Sequence, residues 1–278
     1  MKILKLKIFQ PTAHYRIPFT FARRHTYPIP PYSTVIGLIC NVMGIRSQED
    51  ENFKKLKNGL SLAIYGKYES LNREYVWLRT LNKEAHNERF GYPENRFIDQ
   101  IPEHPGGQIP TRIDVLENVE LLIYIKHNDE EIFCKVKESF ENPKERKYPI
   151  HLGRAEDLVI FEKIDDEIKI EKNLIYGKLE KYNFTWLVDP ERGEKYLDTD
   201  LNCENYKNFF NKIQGSYHLI TSFYKIVEEI RVRVFEYVPV KLFEGGSFPL
   251  YFGKPFKFFC DSEENIPLFF AKMIYPED

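Results

Sequence analysis

Cysteine is scarce in this chain: four thiols in 278 residues, at Cys40, Cys134, Cys203 and Cys260, with no CxxC pair. That spacing excludes a zinc ribbon or a disulfide framework and predicts buried free thiols in a reducing cytoplasm. Long apolar runs are missing too. No apolar stretch of about 18 residues is present to span a membrane, and residues 1–9 alternate lysine with apolar residues where a signal peptide would be continuously apolar. There is no P-loop, no GxGxxG, no HD dipeptide, no HExxH and no carboxylate cluster at ligand spacing, so neither a cofactor nor a metal is expected. Gly245, Gly246 and Ser247 form a turn without the second glycine of a nucleophile elbow. No low-complexity tract and no internal repeat of about 20 to 50 residues is visible.

The most informative deficit is one of charge. Residues 1–48 contain no Asp or Glu, yet they hold Lys2, Lys5, Lys7, Arg16, Arg23, Arg24 and Arg46. The formal net charge of the whole chain is only −2, so the remainder is acidic and the amino-terminal end is strongly positive. Such segregation points to a polyanionic partner.

Within that basic end, residues 10–44 join a proline-punctuated loop to a short apolar helix. Val35, Ile36, Ile39, Val42 and Met43 fall at a period of 3.6. Pro30 and Pro31 suit a first helical turn, Ser33 and Thr34 offer hydroxyls to its free amides, and Gly44 can take the left-handed stop. Arg16, Arg23, Arg24 and His25 immediately precede the helix, where free amides and the dipole favour a phosphate. Surface arginines ahead of a core helix are the plainer alternative.

The length predicts two domains. Residues 2–9 alternate as a strand, with Leu4, Leu6 and Ile8 on one face and Lys5 and Lys7 on the other, for water or for phosphates. A short helix is predicted over about 50–58, then strands from Leu60 to Ile64 and on to Leu78. Residues 81–112 lack apolar periodicity and are rich in Gly, Pro, Asn and charge. Strands lead in and out of them, so a projecting arm is expected, with Arg79, Arg89, Arg96 and Arg112 among Phe90, Tyr92 and Phe97. The mixture suits a nucleic-acid backbone and its bases; a plain solvated insertion is the alternative. Strand alternation returns over 113–126. Asn128 or Asp129 then caps a helix bearing Ile132, Phe133, Val136 and Phe140, and a strand follows over 158–164. The order β, α, β, insertion, β, α, β predicts an α+β fold, with a ferredoxin-like sheet carrying both helices on one face and open on the other. Residues 172–278 read as a smaller β-rich domain, with strand-like runs at Tyr217–Tyr224, Ile230–Val240, Phe248–Phe252 and Phe256–Phe259. The 18 tyrosines and 22 phenylalanines are expected mainly in cores, with some left for stacking on bases.

The segment RRHTYPIPPYSTVIGL at Arg23–Leu38 and the turn HLGRAED at His151–Asp157, together with the amino-terminal strand, resemble the CRISPR-associated RAMP superfamily. Within it they look most like the Cas-five family of type I Cascade subunits, of the I-B-like subtype. The resemblance implies a ferredoxin-like RAMP domain over 1–171, with a thumb-like hairpin at 81–112, and a small β-rich domain over 172–278. It implies a protein that caps the 5′ handle of the guide RNA (crRNA) and touches the backbone subunit and the large subunit of the complex, in antiviral defense. The handle-binding residues it implies are Arg23, Arg24 and His25, then Tyr32, Ser33 and Thr34, then His151, Gly153 and Arg154, beside the Arg16 of the same basic loop. Gly153 would let the backbone approach a phosphate and Arg154 would pair with its oxygens; the alternatives are an ordinary turn and a salt bridge to Glu156 or Asp157. Tyr32 or His25 could stack on an unpaired base. One branch of the family cuts precursor RNA without metal. Catalytic candidates here would be His25, Tyr32, Lys126, His127 and His151, although neighbours on a strand such as Lys126 and His127 point to opposite faces. A β-rich protein-interaction module is the remaining alternative.

Overall fold

The computed structural model describes residues 2–18, 20, 23–80, 97–98, 101–102, 107–179, 181–198, 205–227 and 232–276. The chain begins with β1 (Leu4–Ala13), followed by the two-residue strands β2 (Tyr15–Arg16), β3 (Arg23–Arg24) and β4 (Thr26–Tyr27). Helices α1 (Tyr32–Val42) and α2 (Glu51–Leu56) lead to β5 (Leu60–Lys67) and β6 (Ser70–Thr80). The short strands β7 (Phe97–Ile98) and β8 (Ile101–Pro102) precede β9 (Gly107–His127), α3 (Glu130–Glu141) and β10 (Ile160–Asp165). Then come β11 (Ile170–Ile175), β12 (Gly177–Lys178), β13 (Phe184–Val188), α4 (Tyr206–Lys212), β14 (Ser216–Val227) and β15 (Val232–Glu244). Five shorter pieces close the described chain: β16 (Ser247–Phe248), β17 (Leu250–Tyr251), β18 (Lys254–Asp261), β19 (Ile266–Pro267) and β20 (Ala271–Lys272). It is a mixed α/β protein, mostly sheet, and no described helix is long and apolar enough to cross a membrane.

The principal sheet runs β10-β1-β9-β5-β13-β15-β14, every neighbour antiparallel. Alternation puts Leu4, Leu6, Ile8, Leu62, Ile64, Leu121, Ile123 and Ile125 on the face covered by α1, α2 and α3. The opposite face, expected to be open, is covered. Ala63, Tyr65, Leu122 and Tyr124 are buried there against an aromatic cluster that includes Phe209, Phe248, Phe256, Phe258 and Phe269. Twelve tyrosine and phenylalanine rings are buried in this second core. This covering also corrects the expectation for Lys5. Its side chain is 1% exposed, with Nζ 3.0 Å from Asp261 Oδ2 and bonded to Glu263, so it holds β1 to the β18–β19 hairpin. Lys7 remains half-exposed, 3.7 Å from Glu162.

The helix ends follow local chemistry, with one correction. Asp129 caps α3 by accepting from the amides of Glu131 and Ile132, and Gly44 takes φ +69° after α1. Pro31, in extended conformation, stands at the N-cap of α1, and neither Ser33 nor Thr34 caps it. Ser33 Oγ instead lies 2.6 Å from Thr221 Oγ1, joining α1 to β14. Helix α4 lies within a region expected to be β-rich, with almost no helix signal. Its buried Tyr206, Phe209 and Phe210 do fall at helical spacing, but over too few turns to stand out from the surrounding strand pattern. The expected buried thiols are found only in part: Cys260 is buried, Cys40 half-buried and Cys134 exposed, while Cys203 lies outside the described residues.

Strands β6 and β9 pair continuously from Ser70↔Glu117 to Thr80↔Gly107, so the irregular stretch expected to reach residue 112 is already strand from Gly107. Of the arm residues singled out above, Arg89, Phe90, Tyr92 and Arg96 lie outside the described residues. Arg79 and Phe97 are described only as parts of β6 and β7, and Arg112 is exposed on β9.

Phe209 is wholly buried, with ring centroids 5.0 Å from Phe258 and 5.4 Å from Phe248. Phe209→Ala should lower stability by about 3–5 kcal/mol in a urea titration; a loss under about 1 kcal/mol would mean that the aromatic cluster is not a core.

A cationic cavity as the candidate functional site

Past Ala13 the chain crosses the end of β1 through His14 and Tyr15 into the β2–β4 hairpin. Strand β3 then runs parallel to β9, pairing Arg23 with Arg112 and Arg24 with Ile113. The turn after α3, the amino-terminal end of α1 and strands β14 and β15 meet this segment around a cavity of about 580 Å³.

The turn is fixed by one buried carboxylate. Asp157 is 0% exposed and accepts hydrogen bonds from the amides of His14 (3.0 Å) and Arg154 (2.8 Å). It also takes the Arg154 guanidinium at 2.9 Å. Gln10 Nε2 donates to the carbonyls of Leu152 and Asp157, and Tyr15 donates to Gln10 Oε1 at 2.6 Å, so turn and strand end are tied together. Gly153 has φ +112°, and a Cβ there would lie 2.9 Å from both Asp157 Oδ2 and the His14 carbonyl oxygen. Only glycine allows this close approach. Arg154 lines the cavity but is already neutralised by Asp157, by Glu74 at 2.9 Å and by Glu156 at 3.4 Å. Of the two alternatives for Arg154, the salt bridge is the one observed.

Period-2 alternation along β3 divides the arginine pair. Arg24 lines the cavity with its Nε buried and without a hydrogen-bond partner among the described residues. Burial, and then the charge of Arg16, lower its pKa from the ordinary value, as expected of a cation lacking a counter-ion. Arg23 instead has its guanidinium 3.9 Å from Asp114. His25 Nδ1 is 2.8 Å from the same carboxylate, and Arg73 Nε is 3.3 Å away. The cavity therefore gathers Arg16, Arg24, Ser33, Thr34, Gly153 and Arg154 from the expected set, but not Arg23, His25 or His151.

Tyr32 requires correction. It is 0% exposed, its hydroxyl has no partner among the described residues, and burial raises its pKa far above the usual phenol value. A ring sealed in the helix-side core cannot stack on a base or exchange a proton with a substrate. Lys126 and His127 are also engaged internally. Lys126 Nζ lies 2.8 Å from the buried Asp198, while His127 accepts from the Asp129 amide and lies 3.2 Å from the Leu56 carbonyl. His151 forms an isolated bridge with Leu158. None of the five catalytic candidates lines the cavity.

His14 and the wall supplied by β15 were not among the expected site residues. Arg233, Phe235 and Tyr237 all line the cavity, three alternate residues on one strand face. Arg233 lies over the Tyr224 ring at 4.7 Å, and that ring is 5.3 Å from Phe235. In the sequence the same residues read as one more apolar strand; the signal was a basic and two aromatic residues at period 2, about 200 residues from the basic loop. Arg16, Arg24 and Arg233 have no carboxylate partner among the described residues, and the α1 amino terminus opens beside them. Three cations without a carboxylate partner among the described residues, the first-turn amides and the rings of Phe235 and Tyr237 suit a phosphodiester strand with unpaired bases.

Asp157→Ala would leave the His14 and Arg154 amides without their acceptor and the Arg154 guanidinium partly buried beside Glu74. Stability should fall by about 3 kcal/mol in chemical denaturation, whereas a loss under about 1 kcal/mol would show that the turn is held by other contacts.

The sequence profile of the family described as CRISPR-associated protein (Cas_Cas5) matches residues 3–217. No curated protein matches the chain. Among solved structures, a chain of a CRISPR RNA-guided surveillance complex aligns with 88% of this chain and 90% of its own length, with a TM-score of 0.50 at 11% identity. A crystal structure of a Cas protein aligns over 89% and 95% with a TM-score of 0.42 at 13% identity. A CRISPR protein from Archaeoglobus fulgidus aligns over 94% and 100% with a TM-score of 0.36 at 12% identity. The first of these likenesses is one of fold.

Proposed function

Because this chain belongs to the CRISPR-associated Cas5 family, we propose that it is the subunit of a CRISPR effector complex that binds the guide RNA, holding the strand's 5′ handle in the cationic cavity. The observation that carries this reading is the convergence of Arg16, Arg24 and Arg233, none paired with a carboxylate among the described residues, on one cavity beside the open end of α1 and the rings of Phe235 and Tyr237. Phosphates would be taken by the guanidinium groups and the first-turn amides, and bases by the rings. A division into a ferredoxin-like part over 1–171 and a β-rich part over 172–278 is supported by the strand order β10-β1-β9-β5 with α1 and α3 as its crossovers. The second part would complete the binding cavity with β14 and β15. The β6–β9 hairpin is the feature we assign to the thumb, and so to contact with the backbone subunit; the large subunit would join elsewhere. Cleavage of the RNA does not form part of the proposal, because Lys126 and His127 are held by Asp198, Asp129 and Leu56.

Fluorescence anisotropy with a labelled repeat RNA in EDTA tests the reading. The RNA should be bound intact, with log K falling against log salt by roughly 0.7 per phosphate contact. Arg16→Ala, Arg24→Ala and Arg233→Ala should each weaken binding and flatten that slope by about 0.7, whereas Arg23→Ala, which removes a cation already facing Asp114, should leave it nearly unchanged. Undiminished affinity in all three cavity variants would defeat the assignment, and a shortened RNA would make the protein a nuclease.

Deletion of residues 83–106 should yield a folded protein that still binds RNA but does not enter the complex in co-purification. Normal assembly of the truncated chain would remove the thumb assignment.

A further inference from the structure

His14 sits at the junction of β1 with the hairpin, lines the cavity and is 4% exposed. Its Nδ1 lies 2.7 Å from the backbone carbonyl oxygen of Asp114. A carbonyl only accepts, so Nδ1 must carry the proton. Burial lowers the pKa from the ordinary histidine value; the hydrogen bond to the Asp114 carbonyl opposes it in part, followed by the charges of Arg154 (lowering), Asp157 (raising) and Arg24 (lowering). The ring is thus neutral near pH 7 with its proton on Nδ1, and Nε2 keeps a lone pair. Nε2 is buried and has no partner among the described residues. Such a group is costly to leave unmatched, and it marks a place where a donor belongs.

Its surroundings restrict what that donor can be. The other polar groups lining the cavity are cations, amides and hydroxyls, all able to donate to phosphate oxygens. Along a nucleic-acid backbone the phosphate and ring oxygens only accept. The one backbone donor is the ribose 2′-hydroxyl, adjacent to the phosphate and absent from DNA. We infer that His14 Nε2 accepts a hydrogen bond from a ribose 2′-hydroxyl of the bound strand and so makes this cavity selective for RNA over DNA. The inference rests on the nucleic-acid reading above and assigns that site a sugar-reading residue.

The test compares a short single-stranded RNA with its 2′-deoxy counterpart of identical bases, using the purified full chain. The wild-type protein should prefer RNA by about tenfold, as expected for one added hydrogen bond in a closed site. In His14→Asn the side-chain amide can still donate to the Asp114 carbonyl but offers no acceptor at the Nε2 position. RNA affinity should fall to within about twofold of DNA affinity with the salt slope unchanged, since no charge is removed. His14→Gln, which reaches as far as Nε2 with a carbonyl oxygen, should recover part of the preference. A scan of single 2′-deoxy substitutions, made with unaltered protein, should find the loss concentrated at one nucleotide, and it stands whether or not the variants fold. The inference is overturned if wild-type protein binds RNA and DNA equally. It is also overturned if His14→Asn lowers both affinities in parallel, as a merely structural residue would, or if the preference follows a base amino group with the 2′-hydroxyl intact. Each of those outcomes leaves RNA binding itself in place, whereas absence of binding to either strand would overturn the underlying function as well.

Discussion

A single buried carboxylate, Asp157, governs the geometry of the cavity. It lies where the end of β1 meets the turn after α3, and two backbone amides and one guanidinium converge on it. Because it is wholly buried, these groups must be arranged around it closely enough to replace its water shell. That requirement brings the turn against His14 so tightly that position 153 must be glycine. It also fixes the start of the hairpin that carries Arg16 and Arg24. The site is therefore built by satisfying a carboxylate, and its cations are placed as a consequence.

Four acids decide which arginines remain available. Asp157, with Glu74 and Glu156, neutralises Arg154; Asp114 faces Arg23, His25 and Arg73. Arg16, Arg24 and Arg233 are left without such partners among the described residues, and these three line the cavity. A count of basic residues overstates the charge presented to a polyanion, since a paired guanidinium has already exchanged its hydration for a fixed carboxylate. The Asp114 residue acts twice, through its side chain on Arg23 and His25 and through its carbonyl on His14.

The elements with strong local signals were legible in the sequence. Alternation in β1, β5 and β9, the apolar stripe and glycine stop of α1, and the Asp129 cap of α3 depend on neighbours within a few residues. Part of the site was legible for the same reason: Arg16, Arg24 and the 153–154 turn lie in segments whose loops and ends the sequence marks. What could not be read depends on contacts far along the chain. Lys5 looked solvent-facing because Asp261 is 256 residues away. Tyr32 looked available for stacking because its burial is set by packing against the sheet. The pairing of Arg23 with Asp114 requires the register of β3 on β9, and the wall of Arg233, Phe235 and Tyr237 requires β15 to join the same sheet as β1. Period-2 alternation was present in β1 and β15, but which face is inside is a tertiary fact.

The central claim is that RNA lies along the cavity between the basic hairpin and β15. Ultraviolet crosslinking of the full chain to a short single-stranded RNA, followed by mass spectrometry of the labelled peptides, tests it most directly. The account predicts adducts on Phe235 or Tyr237, with labelling abolished by excess unlabelled RNA. Adducts confined to rings outside the cavity, such as the exposed Tyr148 and Tyr176, with Phe235 and Tyr237 unmodified, would contradict it.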